Sequence, residues 1–250
     1  MKSVSGKEGP QRVRIPRAAR PLLSAVGRCA ESQGMTAYAV GGCVRDWLLG
    51  TTRTPDLDVA VEGDGIALAR AVAQQLGGFC TAHAQFGTAT VMRRGGPRLD
   101  VATCRTETYA RPGAYPRVSP GRIEDDLFRR DFTINAMAAA LAPGRFGALA
   151  DPFGGARDLR RRCLRILHPK SLLDDPSRIL RGIRFRHRFG LSWEPATARG
   201  LREAMAAGAL GWLNRGRLEK ELALMQREPD PSACVQELSA LMAGAAWAGR

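Results

Sequence analysis

Apolar positions at Leu22, Leu23, Val26 and Cys29 recur three and four apart, which predicts a helix between Ala18 and Gln33. The period then changes. Tyr38, Ala39 and Val40 form a short apolar run that ends in Gly41-Gly42, helical spacing returns from Val44 to Leu49, and Gly50 stops it. Beyond this loop Leu57, Val59 and Val61 alternate with Asp56 and Asp58, the period of a half-buried strand. Residues 38–64 therefore read as strand, tight glycine turn, helix, loop, strand. Ile66 to Leu76 carries Leu68, Ala69, Val72 and Leu76 at helical spacing and closes on Gly77-Gly78. Two alternating runs follow, Phe79 to Phe86 and Thr88 to Met92, then an Arg94-Gly95-Gly96-Pro97 turn and a further strand from Arg98 to Thr103. Strand, turn and strand after a helix predict a small mixed sheet.

The second part of the chain changes character. Tyr109 to Gly121 holds three Pro and two Gly and reads as a loop, and a helical stretch begins at Ile123. Asp151-Pro152-Phe153-Gly154-Gly155 is a turn, Leu164 to Leu167 a short strand, and Pro176 suits the first position of a helix. Helices are predicted over Glu194 to Ala207 and Leu213 to Met225, with a last one carrying Val235, Leu238, Leu241 and Met242. The expected fold class is α+β, with a sheet-bearing head over 18–155 and a helical region over 156–250. Residues 1–17, with Lys2, Lys7, Arg12, Arg14 and Arg17 and little apolar content, are expected to form a flexible basic arm.

At 250 residues the chain suits one or two domains. Lys and Arg number 38 against 24 Asp and Glu, a net charge of +14, which favours a polyanionic partner, nucleic acid first and an anionic membrane second. No apolar run has transmembrane length, and no charged-then-apolar leader opens the chain. The six cysteines are scattered without a C-x-x-C pair and only three histidines are present, so a zinc site is not expected. They read as reduced thiols in a cytoplasmic protein, and His83, His168 and His187 as ordinary residues.

Several residues carry candidate chemistry. Asp56 and Asp58 share one strand face, one pleat apart, and offer a site for a hard divalent cation such as Mg2+. The Gly41-Gly42 turn leads into a helix N-terminus that favours phosphate, and Arg45 on its first turn can add a forked contact. Asp131, Thr133 and Asn135, spaced two apart, suit a cap and contacts to a sugar or triphosphate. Arg157, Arg160, Arg161, Arg162 and Arg165 fall within nine residues, a basic cluster suited to an RNA backbone.

Together these motifs carry a resemblance. GGCVRDWLLG at 41–50 followed by Asp56-Leu57-Asp58 resembles the signature of the DNA polymerase β-like nucleotidyltransferases, in the form seen in class II tRNA CCA-adding enzymes and bacterial poly(A) polymerases. The string Arg129 to Ala138, RRDFTINAMA, resembles that family's second motif, and Asp174 to Phe185 its nucleobase-reading motif, with Asp174 where Glu is common. Asn214 to Leu222 is similar to its last neck motif, in which an Arg and a Glu brace the base-reading helix; Arg217 and Glu221 are also spaced as a surface i,i+4 pair. The resemblance implies a nucleotidyltransferase head of small mixed sheet and helices, followed by an all-helical neck. It also implies a mobile loop at 109–121 that affects nucleotide choice. Asp100 becomes a third carboxylate near the attacking hydroxyl if its strand lies beside Asp56 and Asp58.

The activity implied is template-independent addition of C and/or A, from CTP or ATP, to the 3′ end of tRNA. Two Mg2+ ions are expected on Asp56 and Asp58, with Gly42, Arg45 and Arg130 placing the triphosphate. In the fan Asp175, Arg178, Arg181 and Arg184, a carboxylate accepts the exocyclic N–H of cytosine or adenine and a guanidinium donates to N3 or N1. Guanine and uracil fail both contacts, so Asp175 and Arg178 would select C and A, while Arg181 and Arg184 reach phosphate or brace the pair. The match runs from Tyr38 to Met225, and family members continue into a helical body and tail. The short remainder here implies a shortened member, or a dimer or partner chain in their place. Three other readings stay open: a poly(A) polymerase, a transferase acting on a small molecule or protein, and an inactive RNA-binding module. The charge and basic neck count against the second, and the intact Asp56, Asp58, Arg130 and Asp175 against the third.

Overall fold

The computed structural model describes residues 11–52 and 56–248, and side chains as far as residue 244. Lys2 and Lys7 of the expected arm lie outside the described residues. The chain divides into two compact units. Residues up to Arg105, with Pro120–Leu127 and Met137–Pro152, form the first; Thr106–Ser119, Phe128–Ala136 and the chain from Phe153 onward form the second.

The first unit opens with α1 (Arg20–Ser32), β1 (Thr36–Val40), α2 (Gly42–Leu48) and β2 (Asp56–Glu62). α3 (Gly65–Leu76), β3 (Phe79–His83), β4 (Thr88–Met92) and β5 (Arg98–Thr103) follow. Next in the chain come β6 (Arg105–Thr108) and β7 (Arg117–Pro120), a two-stranded ribbon that falls mainly in the second unit, and then α4 (Ile123–Phe128), β8 (Ala138–Ala140) and β9 (Leu149–Ala150). One sheet runs β3-β4-β5-β2-β1-β8-β9, with β2 and β5 parallel and the other neighbours antiparallel. Leu57, Val59 and Val61 of β2 and Leu99 and Val101 of β5 turn to one face and are buried there. α3 packs on β4 and β5, and α1 on β1 and on α3. The close fit of α1 needs a glycine: a Cβ on Gly27 would stand 1.9 Å from the Leu141 carbonyl oxygen. Asp64 caps α3, accepting from the N–H groups of Ile66 at 2.9 Å and Ala67 at 3.0 Å.

Two expectations change here. The helical stretch from Ile123 ends at Phe128, and the apolar run Ala138–Ala140 is a strand. A short continuous apolar run fits a buried strand as well as a helix, and pairing with β1 on one side and β9 on the other decides it. The expected basic arm is not free over 11–17: Val13 and Ile15 are buried, Val13 N–H donates to Gly147 O at 2.8 Å, and Leu149 N–H donates to Gln11 O at 2.8 Å. Two apolar residues among arginines were too sparse a pattern to signal this pairing.

The second unit continues with α5 (Gly155–Arg160), β10 (Cys163–Leu164), α6 (Ser171–Asp174) and α7 (Ser177–Phe189). β11 (Ser192–Trp193), α8 (Pro195–Ala206), α9 (Arg215–Met225) and α10 (Pro231–Ala248) complete it. Ile179, Leu180 and Ile183 of α7 enter a core with Leu172, Leu201, Met205, Leu213 and Met225, as the apolar side of that helix requires. The strand expected at Leu164 to Leu167 shortens to β10, which pairs in parallel with β11. Part of the proline-rich loop is strand β7, outside the core and exposed throughout.

Candidate active site

In the first unit the parallel pairing of β2 with β5 sets Asp58 beside Asp100 and Asp56 beside Arg98. Paired residues point to the same face, so three carboxylates lie together on the face turned away from Leu57 and Val59. Asp56 and Asp58 are exposed. Asp100 is held in place: its Oδ1 accepts from Thr90 Oγ1 at 2.6 Å and from Arg98 Nε at 3.1 Å, and its Oδ2 lies 2.9 Å from the same Nε. The guanidinium of Arg98 is pushed to a higher pKa by the Asp100 hydrogen bond and charge, with Asp56 and Asp58 adding to it. An all-oxygen donor set suits a hard cation that takes its remaining ligands from water and phosphate. Asp56 and Asp58, exposed and one pleat apart, could hold such an ion. Among the described residues no three His, Cys, Asp or Glu side chains converge into a ready-made metal cage.

At the end of β1 the turn has the backbone it needs. Gly41 has φ 72° and ψ −129°, a conformation open to glycine, and its N–H donates to Met137 O at 3.1 Å. α2 begins at Gly42. Arg45 is buried, its Nη2 2.8 Å and Nε 2.9 Å from Asp46 Oδ1. Its Nη2 lies 3.5 Å from where a Cβ on Gly42 would stand, so the guanidinium lies against the turn.

In the second unit the charged motif residues are mostly buried and tied to one another. Asp131 Oδ1 accepts from Phe132 N–H at 2.8 Å and Asn135 Nδ2 at 3.0 Å, and its Oδ2 lies 2.7 Å from Arg181 Nη2. Burial alone would raise this carboxyl's pKa, but Arg181 and the two hydrogen bonds outweigh it and hold the group below its ordinary value. Thr133 Oγ1 donates to Asp158 Oδ2 at 2.8 Å. Arg130 is half-buried.

On α7, Arg178 Nη1 donates to Ser171 Oγ at 2.6 Å and to Ser171 O at 3.3 Å, and Nη2 donates to Arg129 O at 2.7 Å. Its Nε stands 4.0 Å from Asp175 Oδ2. Asp175 Oδ1 accepts from Ser177 N–H at 3.0 Å, Ser177 Oγ at 2.5 Å, and Arg217 Nη2. The expected reading pair is thus adjacent, with the Oδ2 of one facing the Nε of the other. Arg181 turns to Asp131. Arg184 does not stand open to a nucleotide: it is buried, 2.8 Å from Glu221 and 2.9 Å from Glu228. Arg217 and Glu221 reach Asp175 and Arg184, so they brace this helix and do not form an i,i+4 surface pair.

The basic cluster divides as well. Arg157, Arg160, Arg161 and Arg162 are exposed, whereas Arg165 lies 2.9 Å from Asp158 and 3.4 Å from Glu194 and serves the fold. Residues outside every motif complete the arrangement. Glu228, buried, takes Arg184 and both Nε and Nη2 of Arg188 at 2.6 Å. Thr90 and Arg98 orient Asp100. The density of arginine on α7 was the available signal, since buried guanidinium groups need carboxylates.

Residues 37–165 match the model of the poly(A) polymerase head domain. The chain is 41% identical over 227 residues to an A-adding tRNA nucleotidyltransferase of Geobacter sulfurreducens, covering 91% of this chain and 26% of that protein. It is 42% identical over 222 residues to one of Halalkalibacterium halodurans, covering 88% of this chain and 52% of that protein. A solved apo structure of a CCA-adding enzyme superposes with a TM-score of 0.86 at 39% identity, over 91% of this chain and 54% of the other. The chain therefore spans about half, or less, of the length of these proteins. With the head domain matched over more than half of its residues, this chain belongs to the poly(A) polymerase head-domain family of nucleotidyltransferases.

Proposed function

We propose that this protein adds nucleotides to the 3′ end of tRNA without a template, taking A and/or C from ATP or CTP. The observation that carries the reading is the carboxylate row, with Asp56 and Asp58 exposed on β2 and Asp100 paired beside Asp58 on β5. The RNA 3′ hydroxyl attacks the α-phosphorus, a new P–O bond forms, the bond to the β-phosphate breaks, and pyrophosphate leaves. Asp100, oriented by Thr90 and Arg98, is the carboxylate suited to accept the hydroxyl's hydrogen bond and take up its proton as the P–O bond forms. Divalent ions such as Mg2+, two of them on this reading, would be held by Asp56 and Asp58 and would supply charge neutralisation for the triphosphate and a lowered hydroxyl pKa. Asp175 Oδ2 as acceptor and Arg178 Nε as donor support a choice of A or C over G and U. The exposed Arg160, Arg161 and Arg162 suit the tRNA backbone. Both relatives described above are named A-adding enzymes, which favours A over C.

The test uses tRNA ending before CCA, ending in C, and ending in CC, each with labelled CTP or ATP alone. One A added to the CC-ending tRNA is the expected product. A long A tail supports the poly(A) polymerase reading that the head-domain name raises. No incorporation on any substrate overturns both.

A further inference from the structure

The pairing register extends the carboxylate row outward to the open edge of the sheet. Phe79 pairs with Met92 across β3 and β4. Val91 pairs with Leu99 across β4 and β5, which sets the next residue, Met92, beside Arg98, and Arg98 pairs with Asp56. Val91 and Leu99 are buried on the opposite face, so Phe79, Met92, Arg98 and Asp56 form one row on the carboxylate face. The neighbouring row on that face is Thr81, Thr90, Asp100 and Asp58. The outer end of the first row is open: Phe79 is 81% exposed and Met92 56%. Arg93 and Arg94, in the turn that follows β4, are also exposed.

An aromatic ring and a thioether on an open sheet, with cations around them, meet the requirements of a single-stranded nucleic acid, namely flat apolar faces for bases and positive charge for phosphates. Three carboxylates alone would repel an RNA end. Arg98 offsets them on one flank, and Arg93 and Arg94 add charge beyond it. With strands about 4.8 Å apart, Met92 lies roughly 10 Å and Phe79 roughly 14 Å from Asp56. Bases stack about 3.4 Å apart, so these side chains would meet nucleotides a few positions behind a hydroxyl placed at the carboxylates.

We propose that Phe79 and Met92 form a stacking platform for the single-stranded 3′ end of the RNA being extended, with Arg93, Arg94 and Arg98 taking its phosphates. This rests on the function proposed above and assigns the acceptor strand a path across the sheet. A protein partner or a second copy of this chain could use the same apolar edge, but the continuity with the carboxylates and the flanking arginines favour RNA.

The test compares the full chain with Phe79→Ala, Phe79→Trp and Met92→Ala. It measures extension kinetics on a CC-ending tRNA and the fluorescence of 2-aminopurine placed three or four nucleotides from the 3′ end. Loss of one stacked base predicts that Phe79→Ala raises the KM for tRNA about fivefold or more. The KM for ATP stays unchanged, the 2-aminopurine quenching is lost, and Phe79→Trp restores both. Met92→Ala has the same signature at smaller size. A tRNA KM and quenching within about twofold of the unsubstituted protein in Phe79→Ala would overturn the platform. So would an effect confined to the ATP KM, or a change in sedimenting mass without a change in RNA binding. If the unsubstituted protein extends no RNA, the parent function has failed instead.

Discussion

The sheet of the first unit and helix α7 of the second treat charge in opposite ways. On β2, Asp56 and Asp58 stand exposed, and Asp100 is held by Thr90 and Arg98 on the same open face. On α7, Arg178 and Arg184 are buried and each donates to partners within the protein. On the function proposed above, a motif residue does one of two jobs: open charges are the ones to meet ligand, and buried paired charges hold the groups that do. Asp175 and Arg178 combine the two. Asp175 Oδ1 and both Nη atoms of Arg178 are taken up by the fold, while Oδ2 and Nε face each other across 4.0 Å.

Substitutions that cross this divide should separate activity from stability. The largest effect is expected from Asp58→Ala. If it helps hold the ion, several kcal/mol of transition-state stabilisation go with it, and incorporation falls by about a thousandfold or more. Its exposure predicts a thermal midpoint close to that of the unsubstituted protein, to be read by calorimetry. Arg184→Ala should show the reverse emphasis. It strips a buried partner from Glu221 and Glu228, and breaking such a network costs about 3–5 kcal/mol, measurable by urea unfolding.

Asp131 gives a smaller effect with a definite sign in pH. Its folded pKa lies below the unfolded one, so its contribution is complete above the unfolded value of about 3.9 and is lost as pH falls through the folded value. Unfolding measured from neutral pH downward should show a loss at acid pH that is shallower in Asp131→Asn. The smallest change belongs to the exposed i,i+4 pair of Arg215 and Glu219, at 2.6 Å. Glu219→Ala should cost no more than about 0.5 kcal/mol, a baseline against which the buried network is judged.

The sequence made the open half of the site readable because its code is local. Alternation alone placed Asp56 and Asp58 opposite Leu57 and Val59, and the position of Asp100 depended on a single strand pairing, which the register Asp58 to Asp100 supplies. The buried half could not be read that way. Nothing in the spacing of α7 says that Arg184 meets Glu228, 44 residues later, or that Arg181 turns back to Asp131. Helical period gives the face on which an arginine lies, but its partner depends on which other helix covers that face. The same limit explains Ala138–Ala140, whose apolar run is compatible with helix and strand until β1 and β9 flank it. It also explains Val13 and Ile15, drawn from an expected arm into contact with the sheet edge.

The division of labour is tested most directly by one ratio, the amounts of A, C, G and U that the protein adds to a CC-ending tRNA when each nucleotide is supplied alone. A ratio does not depend on how much of a variant is folded. Asp58→Ala is expected to lower all four together and leave their ratio unchanged, while Arg178→Ala still incorporates and admits G and U alongside A and C. An Arg178→Ala protein that keeps the original preference would contradict the account.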